Sequence, residues 1–235
     1  MMAIDRVDET GGGARFVLAL LCVLLAVVLG AAVLAVPMEG AGLRDAVLAN
    51  LKGAGADNPV TAVLLSFRGY DTLLETGVLL LALLGAWSLT PDGFWGGVPG
   101  RSLSGRAPEA ALSYFSRSVV PVSVLVGAYL LWAGAHAPGG AFQAGTVIAA
   151  AGVLVMLSGA ADPPATCALW LRLVLILGFV VFLGAGLYGM VGADAFLAWP
   201  PEAAKAFVLT IEIMLTVSIA ATLALLCAGV PERAP

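Results

Sequence analysis

Charge is scarce in this sequence. Asp, Glu, Lys and Arg make up 11% of the 235 residues, where soluble domains carry about a quarter. No run of basic residues occurs and the formal net charge is −4, which excludes the electrostatic footprint of a nucleic-acid-binding protein. Cysteine is rare and odd in number: Cys22, Cys167 and Cys227 lie in or beside apolar segments, with no metal-ligand spacing among them. A disulfide framework is therefore not expected. There is one histidine, His136, and no CxxC or HExxH, so no intrinsic metal site is expected. A phosphate-binding G-x-x-x-x-G-K-[ST] loop and a GxGxxG turn opening a helix are also missing, and no nucleotide or other cofactor is written in the chain.

Apolar residues are what the chain has in abundance. They form 61% of it, and the mean hydropathy is +1.03. A water-soluble fold cannot hide that much apolar surface, so the medium is hydrocarbon. A bilayer core about 30 Å thick needs roughly 20 apolar residues as helix, since an open chain in lipid must satisfy its own backbone. The sequence predicts an all-α polytopic membrane protein with about six transmembrane helices, over residues 16–36, 72–89, 119–135, 141–160, 165–191 and 203–228. The first stretch is too long and too acidic on its N-terminal side, with Asp5, Asp8 and Glu9, for a cleaved signal peptide. Residues 38–59 read as an exterior loop. The third span is short and is broken near its start by Pro121. In the fourth, Gly145, Ala149 and Gly152 form a small-residue stripe where another helix can approach.

Basic residues orient the six spans. With the N-terminus inside, the inner face carries Arg6, Arg15, Arg101, Arg106, Arg117, Arg172 and Arg233. The outer face carries Arg44, Lys52, Arg68 and Lys205. That excess predicts both termini in the cytoplasm.

Few ionisable residues fall within or beside the spans, and each is a candidate. Arg68, Asp71 and Glu75 are spaced by three and four, hence share one face if residues 68–75 are helical, with Gly69 as a break. Two carboxylates one turn apart repel each other unless one holds its proton or a cation lies between. The cluster reads either as a proton or cation relay or as an interfacial anchor of the helix end. Glu212 sits eight residues into the last span, about 12 Å along its axis at 1.5 Å per residue. An ionisable group at that depth normally faces a protein partner or water. It is either a protonatable functional site or a protonated acid bonded to a neighbouring helix, with Lys205 and Thr216 on the same stripe. Arg172 reads as a snorkelling side chain. His136 has the chemistry to pass protons, but its Pro138-Gly139-Gly140 context reads first as a tight turn.

Two stretches carry a family resemblance. Ala133-Gly-Ala-His-Ala-Pro-Gly-Gly-Ala-Phe-Gln-Ala-Gly145 resembles the GHNxPGGGFxGG signature of the B subunit (MnhB or MrpB) of multi-subunit Na+/H+ antiporters. The run from Asn58 to Glu75 resembles the FRG(F/Y)DTLGE segment of the E-type subunit of energy-converting membrane-bound hydrogenases and of the large antiporter A subunit. The order implies a fusion: an E-type module over residues 1–100 with two helices, and an MnhB/MrpB-like module over residues 101–235 with four. The resemblance implies a multi-pass subunit of the cell (plasma or inner) membrane, without a redox centre and not itself an enzyme. Its partners would be other membrane subunits of an Mrp/Mnh-type or complex I-related assembly, the bilayer, and Na+ and/or H+. Carried over by position, Arg68, Asp71 and Glu75 match the charged motif, while His136, Pro138, Gly139, Gly140 and Phe142 match the hairpin motif. Gln143 and Gly145 complete that hairpin segment, and Gly69 belongs to the charged one. The sequence departs from the family at Ala137, Ala141 and Leu74, and Leu209-Thr-Ile-Glu212-Ile is only similar to the family's last-helix LFDIG context. The leading expectation is a cation/proton antiporter subunit that contributes Arg68, Asp71, Glu75, Glu212 and His136 to an ion or proton path. The alternative is a structural coupling subunit of an energy-converting assembly. A stand-alone transporter is disfavoured because the six spans contain no internal repeat.

Overall fold

A computed structural model of the chain describes residues 12–35, 42–100 and 110–233. It divides into two units, Met1–Leu43 and Arg44–Pro235. Among the described residues the first holds one helix, α1 (Gly12–Leu34), whose Arg15–Leu34 stretch is long and apolar enough to cross a membrane.

The second unit carries the rest. A short helix α2 (Arg44–Asn50) leads through a 3₁₀ turn (Leu51–Gly53) to α3 (Pro59–Ala62), a π-helical turn (Val63–Phe67) and α4 (Gly69–Ser88). After a second 3₁₀ turn (Asp92–Phe94) and the strand β1 (Val98–Pro99) come α5 (Ala110–Ala133), α6 (Ala141–Leu157), α7 (Leu169–Gly192), α8 (Ala204–Ala228) and β2 (Pro231–Arg233). The strands pair antiparallel, Val98 with Arg233 and Pro99 with Pro231, and tie the end of the chain to the α4–α5 connection.

Among the described residues five helices have the length and composition of membrane spans: α1, α4, α5, α7 and α8. The sixth, α6, is apolar but only 17 residues long, about 25 Å at 1.5 Å per residue. Its limits are set by Gly140 on one side and Ser158 on the other.

Helix α8 is the axis of the unit, packed against α6, α7 and α4, with α5 outside α6. Val208, Ile211, Leu215 and Ile219 recur at helical spacing and are all buried. With Leu65, Leu73, Phe182, Leu197 and Trp199 they form the main core. The small-residue stripe of α6 faces α8: a Cβ on Gly145 would lie 2.8 Å from the Ile219 side chain, so any larger residue pushes the helices apart. The α7–α8 contact is similarly close, and the Ser218 hydroxyl donates to the Leu175 carbonyl across it.

The structure corrects several boundaries read from the sequence. The 38–59 loop contains α2, and Asn58 is buried rather than exterior. The third span does not break at Pro121, because α5 runs from Ala110 to Ala133 with that proline inside it. Membrane helices accommodate proline where neighbouring elements re-satisfy the freed carbonyl. Arg6, Arg101 and Arg106 lie outside the described residues.

Candidate functional site

The site begins with a turn. Leu130 O accepts hydrogen bonds from the N–H groups of both Gly134 and Gly140, closing the α5–α6 hairpin into a compact loop. Gly140 has φ +122°, a conformation a side chain resists, and a Cβ there would stand 3.2 Å from Glu212 Oε1. It must be glycine for two reasons, backbone and space. Gly140 precedes the first residue of α6, Ala141, whose N–H donates to the Glu212 carboxylate. Glu212 is 3% exposed. Its Oε2 is buried and has no hydrogen-bond partner among the described residues. An ionised oxygen left dry and unpaired costs several kcal/mol, so this carboxyl calls for a proton, a cation or water. Thr216, one turn on, bonds back to the Glu212 carbonyl (2.7 Å), not to its carboxylate.

Glu212 opens on a cavity of about 200 Å³. Glu75 lines the same cavity, with Thr61, Thr72, Gly139, Phe142 and Gln143. The two acids come from helices whose sequence positions are far apart. Glu75 lies in the second turn of α4, which follows a π-helical turn that ends at Arg68 (φ −128°, ψ 34°). The wide turn leaves backbone acceptors that side chains satisfy: Thr72 Oγ1 donates to Leu64 O (2.6 Å) and Trp199 Nε1 to Leu65 O (3.2 Å). Such interrupted helices are common at functional sites.

The segment before the wide turn holds the hairpin. Asn58 caps α3, accepting from Val60 N at 3.1 Å, while its amide donates to Ala137 O (2.7 Å) and Gly134 O (3.4 Å). Thr61 Oγ1 donates to Gly134 O (2.6 Å), and the Asp57 and Asn58 N–H groups both donate to Ala135 O. The two motif stretches of the sequence thus interlock.

Not all the residues singled out from the sequence converge. Arg68 and Asp71 pair with each other, both side chains more than half exposed, and neither lines the cavity. Of that trio Glu75 alone does. His136 lies on the other side of the hairpin, where Nδ1 meets Asp57 Oδ2 at 2.9 Å. It lines a separate polar cavity of about 150 Å³ with Lys52, Glu202 and Lys205. Pro138 is exposed, Gly69 packs near Leu197 and Phe182, and Gly145 serves the α6–α8 contact. Arg172 does more than snorkel: its Nε donates to Thr166 O (3.0 Å). Asn58, Thr61 and Thr72 are not among the candidates that the sequence singles out. Only Asn58 carried a local signal, since Asn followed by Pro is a helix-start pair.

A multi-pass α-helical membrane protein with a buried acid at a helix-hairpin junction is the class that fold and site define. Comparison with known proteins gives the family. Residues 111–230, just over half of the chain, match the family described as "Domain related to MnhB subunit of Na+/H+ antiporter". The chain belongs to that family, whose name places it among the membrane subunits of Na+/H+ antiporter-type complexes. No curated protein matches. Among solved structures, one chain of the membrane-bound sulfane sulfur reductase, an archaeal respiratory membrane complex, is similar in fold. It is 24% identical with a TM-score of 0.66, and the match covers 91% of this chain and 96% of that one. A chain of the Mrp complex from Dietzia sp. DQ12-45-1b is also similar, at 24% identity and a TM-score of 0.62. That match covers 96% of this chain but 27% of the other, so this chain spans about a quarter of its length.

Proposed function

We propose that this chain is a non-redox, non-enzymatic subunit of a monovalent cation/proton antiporter complex, in which Glu212 and Glu75 form an acidic pair on an ion or proton path. The observation that carries the reading is Glu212 itself: deeply buried, held by one backbone N–H, with its second oxygen bare beside a cavity that a second acid also lines. A purely structural core position gains nothing from an acid there, since apolar residues of like volume pack without the desolvation cost. The family match to residues 111–230 supports the antiporter assignment and falls within the MnhB/MrpB-like module of residues 101–235. An E-type module over residues 1–100 and cytoplasmic termini belong to the same proposal. Everted membrane vesicles containing the whole complex test it. Glu212→Gln keeps the shape of the side chain and removes the exchangeable charge. Assembly should stay intact while exchange falls about a hundredfold, the scale of losing a positioned proton-transfer group. Wild-type exchange in both Glu212→Gln and Glu75→Gln would overturn the proposal.

A second reading, a coupling subunit that moves no ion, draws on the near end-to-end likeness to a chain of the archaeal respiratory complex. Under it, the same substitutions disturb assembly, and exchange is lost only in proportion to assembly.

A further inference from the structure

Away from the acidic cavity, the C-terminal end of α4 and the start of α7 enclose a crevice of about 380 Å³. Leu80, Leu84 and Ile176 form an apolar trough, and Trp87, Thr90 and Arg172 also line it. Leu84 and Ile176 are 49% and 39% exposed, so the trough opens to the outside of the helix bundle.

Its polar members are unusual. Trp87 and Thr90 are more than nine-tenths buried, yet the indole Nε1 and the hydroxyl Oγ1 have no hydrogen-bond partner among the described residues. Buried donors of native proteins are nearly always satisfied, so two together need an explanation. Arg172 stands at the same crevice and spends one of its N–H donors on Thr166 O. The guanidinium carries five.

The walls are built. Thr166 N and Oγ1 both bond to Gly97 O (2.8 and 3.1 Å), and Cys167 N bonds to Gly96 O (3.1 Å). The β1–β2 pair closes the same end. The level is interfacial: Trp95 and Trp170 are exposed there, where tryptophans collect at the edge of a bilayer.

A cation and two neutral donors at the head of an apolar trough match an anionic, acceptor-rich group joined to hydrocarbon. We propose that this crevice is a binding site for an anionic membrane phospholipid. The phosphate takes Arg172 and an acyl chain lies along Leu80, Leu84 and Ile176, while small side-chain rotations bring the Thr90 hydroxyl and the Trp87 indole, both closed to water in this structure, to the acceptors of the headgroup. A free inorganic phosphate would use the guanidinium but leave the trough unused.

The test uses the complex containing the full chain, purified in mild detergent and delipidated, with native mass spectrometry and thermal melting as readouts. Dioleoyl phosphatidylglycerol should bind with one lipid per chain and raise the melting midpoint, while diacylglycerol and inorganic phosphate should do neither. Arg172→Gln should weaken that binding about tenfold, the scale of one charge-assisted hydrogen bond. Leu84→Trp fills the trough from its exposed edge, keeps the charge, and should also weaken it, which covers the case in which the Arg172 variant does not fold. Wild-type lipid retention in a folded Leu84→Trp variant would overturn the proposal. So would an equal shift with phosphate alone, or a crosslink from Leu84→Cys to a partner subunit in place of lipid.

Discussion

One hairpin separates two carboxylates, and they live in different worlds. Asp57, on the outer side of the turn, has a side chain 80% exposed and meets His136 at 2.9 Å. Glu212, on the inner side, is 3% exposed and has one backbone N–H for company. The exposed pair gains little from its contact, because water and salt screen it. The buried acid carries a desolvation cost that a packing role does not require. Under the proposed path, membership of a motif does not by itself mark the residue that acts. Burial without partners is the mark that Glu212 carries.

The strongest way to break this contrast is to neutralise one residue on each side. Glu212→Gln should lower exchange about a hundredfold, while His136→Gln should leave it within about twofold, both read in everted vesicles at matched assembly. Equal losses would erase the distinction. The turn itself comes next. Gly140→Ala forces a side chain into φ +122° and sets its Cβ 3.2 Å from Glu212 Oε1. Strain of that kind costs on the order of 1–3 kcal/mol, visible as a lower melting midpoint of the purified complex. Asn58→Ala removes the α3 cap and two bonds to the hairpin, a loss of about 1–2 kcal/mol by the same melt. The smallest effect belongs to the outer pair: Asp57→Asn should shift stability by less than about 1 kcal/mol.

The helices were legible because hydropathy and length suffice to find a span. α4, α7 and α8 lie within a few residues of the segments read from hydropathy. Their ends were less so. Pro121 signals a break in water, but α5 continues through it, because a bundle in lipid tolerates what an isolated helix does not. That Glu75 and Glu212 line one cavity was beyond any spacing rule. It depends on how α4 packs on α8, and periodicity within one helix contains nothing about its neighbour. Asp71 shows the converse: it shares a helical face with Glu75, yet it lies one turn nearer the start of α4, where it pairs with the exposed Arg68 short of the cavity. The wide turn over Val63–Phe67 left no mark in the sequence at all, as its residues are ordinary helix and strand formers.

That wide turn sets the angular phase of everything before it. Each residue of an α-helix advances the chain by about 100°, so deleting one residue between Val63 and Phe67 would rewind the segment as a plain helix and swing α3 by roughly that angle. Asn58 and Thr61 would then point away from Gly134, and the hairpin that shapes the Glu212 pocket would lose its clasp while every hydrophobic stretch kept its length.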